Sequence, residues 1–262
     1  MNQAMIFAAG LGTRLKPLTD TMPKALVPVG GRPLLDIVVG RLLAADYDHF
    51  VINIHHFAQK IRDYVATRDY APMVQFSDET AMLLETGGGL KKAAPLFRDD
   101  DPILIHNVDI LDNVDYQWFS HQHLPDEDAV LLVSRRKTKR YLLFDAGMRL
   151  MGWTNIETGE VKSPFPWLRE SKITIDADLA VTVTSPSGGG RAGVYAFAFS
   201  GIHSFSPRLF KLMDRFADRF PIIDFYLSVC HRACIVGCVK DDLSLLDVGK
   251  LDSLEQAEKF TI

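Results

Sequence analysis

Residues 5–34 read MIFAAGLGTRLKPLTDTMPKALVPVGGRPL, and the order of residue types along them decides the fold. The run 4–9 is short, apolar and rich in strand formers, and it ends at Gly10, where the chain must turn. A buried first strand feeding a loop is expected. Gly10 and Gly12 have no β-carbon, so N–H groups beside them can approach a phosphate closely and donate to its oxygens. Arg14 adds a forked cation suited to phosphate oxygens, and Lys24, fixed between Pro23 and Pro28, adds a movable point charge. Together these types make a polyphosphate clamp. Two common glycine patterns are excluded: no third glycine follows at dinucleotide-fold spacing, and no Gly-Lys-Ser/Thr follows.

Beyond the turn, helix-like and strand-like stretches alternate. Helices are predicted at 34–45, 58–67, 90–97 and 116–123, and strands at 50–54, 73–76, 102–106 and 129–134. Such alternation implies an α/β fold, a Rossmann-like mixed and mostly parallel sheet flanked by helices, with ligands beyond the carboxyl ends of the strands, where the glycine turn lies. Over 135–192 the pattern breaks into hairpin-like strands, with turns at Ala146-Gly147 and Thr158-Gly159 and a loop over 185–190. This reads as a β-hairpin insertion in a single domain spanning 1–262. Strands at 194–199 and 235–239 follow, with helices at 207–215, 223–231 and 251–260. The cluster Arg135, Arg136, Lys137, Lys139, Arg140 reads as a solvated charge run.

Composition fits an enzyme with one large core: 262 residues, 47% hydrophobic, net charge −4. The pI near 6.1 argues against a broad nucleic-acid surface. No apolar run approaches the roughly 20 residues of a membrane span, and the first strand starts too soon after Met1 for a signal peptide, so a cytoplasmic location is the expectation. Cys230, Cys234 and Cys238 recur every four residues, but the segment is expected to change from helix to strand near Ala233, and no zinc spacing is matched; buried reduced thiols are the reading. His55-His56, at a strand end, and His121 with His123, on a helix face, read as non-catalytic.

Taken whole, G-L-G-T-R-L-K-P-L-T followed by P-K-A-L-V-P-V-G-G-R-P-L resembles the signature of the sugar-1-phosphate nucleotidylyltransferases. The resemblance implies that Ala8, Ala9, Gly10, Leu11, Gly12 and Thr13 bind the nucleotide. It implies that Arg14 and Lys24 hold the triphosphate and the phosphate under attack. His106-Asn107-Val108-Asp109 resembles the family's N-x-D element, with Val108 in place of the usual glycine, and implies Asp109 as a magnesium ligand; Asp112 is a lesser candidate. Leu245-Leu246-Asp247-Val248-Gly249-Lys250 resembles the W-x-D-x-G-T element without its tryptophan and threonine, and implies Asp247 as the second ligand. Mg2+ takes hard oxygen ligands, commonly one or two carboxylates with phosphate oxygens and water.

Glu85, Thr86, Gly87, Gly88 and Gly89, expected just before the helix at 90–97, are similar to the family's nucleobase loop, especially that of the N-acetylmuramate-1-phosphate uridylyltransferases. Uridine is the implied base. For the sugar, the resemblance implies Asn107, Ser200, Gly201 and Asp224, with Pro221 standing where relatives carry a glutamate or lysine. Asp224 reads equally well as a helix cap.

The reaction implied is in-line attack of a sugar-1-phosphate oxygen on the α-phosphorus of a nucleoside triphosphate, UTP favoured, with release of pyrophosphate. A phosphate monoester has its second pKa near ~6, so it is largely dianionic at neutral pH and needs little help from a base. Guanylyl, thymidylyl or cytidylyl transfer to other phosphorylated acceptors are the alternatives within the family. A nucleotide-sugar sensor without turnover is the alternative outside it. The sequence gives no reading of oligomeric state.

Overall fold

The computed structural model describes residues 2–99, 101–186, 190–191 and 193–260. Strand β1 (Asn2–Phe7) runs through the glycine turn and the short strands β2 (Pro28–Val29) and β3 (Arg32–Pro33) into α1 (Leu34–Ala44). Alternation follows: β4 (Tyr47–Ile54), α2 (Ala58–Val65), β5 (Val74–Asp78), α3 (Glu85–Ala93), β6 (Ile103–Asn107), β7 (Ile110–Asp112), α4 (Tyr116–Ser120) and β8 (Ala129–Ser134). Next come β9 (Arg140–Phe144), β10 (Leu150–Asn155), β11 (Glu160–Lys162), α5 (Pro166–Arg169), β12 (Lys172–Ile175), β13 (Val181–Thr184) and β14 (Gly190–Arg191). The chain ends with β15 (Tyr195–Phe205), α6 (Phe210–Met213), α7 (Ile222–Val229), β16 (Ile235–Val239), β17 (Leu245–Asp247) and α8 (Leu251–Ala257).

The main sheet has the order β11-β10-β9-β15-β6-β1-β4-β5, with β8 between β15 and β16. Strands β6, β1, β4 and β5 are mutually parallel, as the alternation requires. The antiparallel β15 then bridges this block to β8 and β9. Side chains of β1 divide by parity. Ala4 and Ile6 join the core under α1, α2 and α4, while Met5 joins the core under α3 and α7.

Several expectations shift. The helix predicted at 90–97 begins at Glu85, so the glycine run lies inside it and not before it. The reason is close packing. A β-carbon on Gly87 would lie 2.4 Å from the Phe220 ring, on Gly88 2.0 Å from the Asp218 carbonyl oxygen, and on Gly89 2.6 Å from Glu79 Oε1. Helix α4 ends at Ser120, which leaves His121 and His123 beyond it; His123 instead bonds Ser204 Oγ at 2.6 Å.

The segment with the three cysteines changes from helix to strand as expected, α7 ending at Val229 and β16 starting at Ile235. All three are free thiols, and burial pushes that of Cys230 up to about 12. In the 135–192 stretch both predicted turns form, and β9, β10 and β11 extend the main sheet. Strands β12, β13 and β14 make a separate sheet over its own apolar cluster, which includes Tyr141, Leu168 and Val183. Residues 187–189 of the loop predicted over 185–190 lie outside the described residues. Among the described residues, no helix is long and apolar enough to cross a membrane.

Candidate active site

Phe7 pairs with Asn107 of β6 and Asn53 of β4, so the parallel strands end together. The glycine turn leaves from that edge. Gly12 sits at φ +64, and a β-carbon there would be 2.8 Å from Thr19 Cγ2, so both conformation and space require glycine. Its carbonyl is held by Leu15 N and Thr19 Oγ1, each at 2.8 Å. Among the described residues nothing accepts from the N–H groups of Gly10, Leu11 or Gly12. Those of Ala8 and Ala9, by contrast, are taken by Asn53 Oδ1, at 2.7 and 3.3 Å. Asn53 is steered in turn by the buried Glu79, whose Oε1 accepts from its amide at 2.7 Å. Sequence reasoning missed both; the signal was an amide inside the apolar run of β4, where a buried polar group needs partners.

Lys24 is nearly buried, and its ammonium contacts the Asp109 carboxylate. Strand β17 pairs with β7 so that Asp247 lies opposite Ile110, and Val248 N donates to the Asp109 carbonyl at 2.8 Å. That pairing carries the second carboxylate from near the carboxyl terminus to the side of the first. Arg14 reaches Asp247 at 3.9 Å, with both side chains more than half exposed. Arg14, Lys24, Asp109 and Asp247 are thereby gathered at one edge as two opposite pairs, Arg14–Asp247 long and exposed and Lys24–Asp109 close and nearly buried on the lysine side. Val108 lines the same space while packing into the apolar core.

Asp112 has another role. It is fully buried and accepts from Arg41 Nη1 at 2.8 Å, His106 Nε2 at 3.1 Å and the Tyr116 hydroxyl at 2.9 Å. Burial alone would raise its carboxyl, but the His106 hydrogen bond and charge and the Arg41 cation outweigh that and bring it to about 2. It is a structural anion, not a metal ligand; with its bonds satisfied inside the fold, it does not face the cleft.

Two clefts meet at this edge. One, of about 370 Å³, runs along Gly10 to Arg14, Lys24, Leu83 and Asp109. The other, of about 470 Å³, is bounded by Thr86, Asn107, Phe199, Gly201, Ile223 and Asp247, with Arg136 and His203. A further cleft of about 380 Å³, between Met82, Lys91 and Asp218, contains Gly88 but none of the charged site residues.

The predicted base loop makes contacts to residues 219–222. Gly87 N and Gly88 N both donate to the Phe220 carbonyl, at 2.9 and 3.1 Å, Thr86 Oγ1 accepts from Ile222 N at 3.0 Å, and Glu85, at φ +64, pairs with Arg219 at 3.0 Å. At the second cleft, a bulge in β15 between Phe199 and His203 brings Gly201, at φ +86, against Asn107, two residues expected to bind the sugar. Ser200 Oγ is buried and already donates to the Leu132 carbonyl at 2.7 Å. Asp224 sits in the first turn of α7, which Pro221 precedes as N-cap, and pairs with Lys162 at 3.2 Å; it caps nothing. Arg136 is exposed, as its reading in a solvated run expects, and it also lines the second cleft and donates to the Phe199 carbonyl at 3.0 Å.

As to metal, the described residues contain no cluster of three or more His, Cys, Asp or Glu groups. Two carboxylates brought to one edge, Asp247 half exposed and Asp109 partly so, fit a hard divalent ion that draws its other ligands from phosphate and water.

Residues 3–145 match the family model described as nucleotidyl transferase. Over 121 residues, 45% of this chain and 47% of the relative, the chain is 41% identical to N-acetylmuramate alpha-1-phosphate uridylyltransferase of Caulobacter vibrioides. It is 40% identical over 115 residues to the enzyme of the same name from Neisseria meningitidis, covering 44% of this chain and 49% of that one. The chain thus spans about half the length of these curated relatives. The solved structure of HddC from Yersinia pseudotuberculosis complexed with GMP-PN superposes with a TM-score of 0.65 at 23% identity, covering 99% of each chain. The architecture is that of the nucleotide-diphospho-sugar transferases.

Proposed function

We propose, for a chain that belongs to the nucleotidyl transferase family, transfer of a nucleotidyl group from a triphosphate to a sugar-1-phosphate with release of pyrophosphate. UTP is the favoured donor, and an amino-sugar phosphate such as N-acetylmuramate 1-phosphate the favoured acceptor, in keeping with the two uridylyltransferases to which the chain is similar. The observation that carries the reading is the meeting of Arg14, Lys24, Asp109 and Asp247 at the carboxyl edge of the parallel strands.

The free N–H groups of Gly10, Leu11 and Gly12, with Thr13 beside them, take the triphosphate. Ala8 and Ala9 serve through Asn53, which fixes the turn. The base lies toward Leu83 in the first cleft. Because Gly87 and Gly88 have spent their N–H groups on Phe220, base contact falls to the chain from Leu83 to Thr86. Asn107, Gly201 and the backbone of Ser200 border the sugar in the second cleft; Asp224, tied to Lys162, supports its rim.

Asp109 and Asp247 would hold Mg2+, which neutralises phosphate charge when bound. Lys24 moves its ammonium between the Asp109 carboxylate and the phosphate under attack, and Arg14 offers its fork to the departing pyrophosphate. No side chain need act as nucleophile, since the acceptor phosphate arrives as an anion. Residues 1–262 act as one domain, with 135–192 inserted in it, and metabolite substrates of this kind imply a cytoplasmic setting.

The test is pyrophosphate release under Mg2+ from each of UTP, GTP, dTTP and CTP paired with several sugar 1-phosphates. UTP with an amino-sugar 1-phosphate is expected to be fastest. Release with a different pairing would reassign the substrates, and no release from any pairing would favour a sensor without turnover.

A further inference from the structure

The second cleft contains a cation that none of the roles above uses. Arg136 lies two residues past β8, and β8 is parallel to β6 because both run antiparallel to β15. Its carboxyl end therefore opens on the same sheet edge as Asn107. The strand order sets β8 two places from β6, about 10 Å at ordinary strand spacing. Arg136 turns back over β15 and is pinned there by the Phe199 carbonyl at 3.0 Å. Its neighbour Arg135 pairs with Asp241 at 3.3 Å, but among the described residues no carboxylate pairs with Arg136. The side chain stays exposed, and desolvation by the cleft wall lowers the pKa of its guanidinium from the ordinary value with no anion to compensate.

The rest of that cleft is short of positive charge. His203 at its inner wall is buried, and burial drives its imidazole down to about 3, so it is neutral. Ile222 and Ile223 are apolar, and Asp247 is negative. Lys24 and Arg14 line the other cleft. An acceptor whose 1-phosphate lies at the Lys24–Asp109 contact would extend its ring into the second cleft, where Arg136 is the one cation among the described lining residues.

We propose that Arg136 is a specificity residue that binds a carboxylate carried by the acceptor sugar apart from its 1-phosphate. The inference rests on the transferase reading above. A guanidinium held at one N–H by a carbonyl keeps its other donors in a plane suited to a carboxylate.

The experiment compares N-acetylmuramate 1-phosphate with N-acetylglucosamine 1-phosphate, which lacks the carboxyl-bearing ether, for wild type, Arg136→Gln and Arg136→Lys with UTP and Mg2+. The ratio of kcat/KM between the two acceptors is expected to fall about 10- to 100-fold in Arg136→Gln, mostly through KM. Arg136→Lys should recover part of the ratio. An unchanged ratio overturns the inference, whether both acceptors lose equally, as they would if Arg136 gripped the 1-phosphate, or neither loses. Preference of the wild type for the carboxyl-free acceptor overturns it too. If wild type releases no pyrophosphate with either acceptor or with any pairing of triphosphate and sugar phosphate, the transferase reading itself fails, which is a distinct result.

Discussion

Asp109 and Asp112 stand three residues apart on one stretch of chain, yet they belong to opposite kinds of site. Asp112 is sealed beneath α1 and α4, with Arg41, His106, Tyr116 and the Val114 N–H all directed at its two oxygens. Asp109 lies at the cleft with a single ammonium partner, and Asp247 beside it has only a long contact to Arg14. The buried cluster has no bonding capacity left for a ligand. The Arg14–Asp247 pair is long and exposed, of the sort that contributes little to stability, while the nearly buried Lys24 meets Asp109 where that carboxylate opens on the cleft; both pairs can exchange partners when phosphates arrive. A rigid charged floor under a loosely paired rim is how the chain keeps two carboxylates in position without satisfying them.

The widest separation between these regions should appear in stability. Asp112→Asn leaves Arg41 and His106 without their anion and should cost about 3–5 kcal/mol in urea unfolding at neutral pH, as removal of one partner from a buried pair generally does. Turnover per folded molecule should stay within about threefold. The acid limb sharpens this. Because the Asp112 carboxyl is held below its unfolded value, the stability it contributes is present above about pH 4 and is lost as pH falls toward its folded pKa of about 2. The gap between wild type and variant should therefore narrow by roughly 2 kcal/mol between pH 4 and pH 2. A gap independent of pH would show that Asp112 is not a held anion.

Lys24→Met should do the reverse. Loss of the one ammonium on Asp109 is expected to lower kcat about 100- to 1000-fold, as removal of a preorganised charge from a reaction centre does, while triphosphate affinity changes far less. Melting temperature should move less than in Asp112→Asn, since Asp109 is partly open to the cleft and Asp112 is fully buried. Stopped-flow or steady-state kinetics alongside a thermal melt make the comparison. Near wild-type kcat and KM would leave Lys24 without the role assigned here.

How far this contrast could be read from sequence depends on which physics each residue obeys. Period and turn chemistry are local, so the alternation that makes β1, β4, β5 and β6 parallel was legible, as were the paired turns of the inserted stretch. Gly10 and Gly12 announced a turn for the same reason. Long-range pairing was not legible from period alone: Asp247 meets Asp109 only because β17 adds to β7, and it was the order of motifs along the chain that pointed there. The run Glu85 to Gly89 misled in detail because glycine serves close packing as readily as ligand approach, and Asp218 and Phe220, more than a hundred residues later, are what it packs against. Arg136 was hidden by its company, since all five cations between 135 and 140 are exposed and the pattern gives no means to single out the one that also lines a cleft.

The smallest effect tests how closely the rim pairs must approach. A β-carbon on Gly249 would lie 2.6 Å from Asp247 Oδ1 and 2.7 Å from Arg14 Nη2, with no backbone atom of another segment in the way. Both obstacles are the ends of exposed side chains, so in Gly249→Ala they give way at little cost, and unfolding free energy should change by less than about 0.5 kcal/mol. What moves is the site. Pushing Arg14 from Asp247 displaces a phosphate-binding fork and a carboxylate meant for the metal by a fraction of an ångström, which should lower kcat/KM about tenfold. It should also raise the Mg2+ concentration needed for half-maximal rate. If Gly249→Ala keeps wild-type rates and the same Mg2+ dependence, the approach of Arg14 to Asp247 is incidental to turnover. The loose rim then reduces to Lys24 and Asp109 alone.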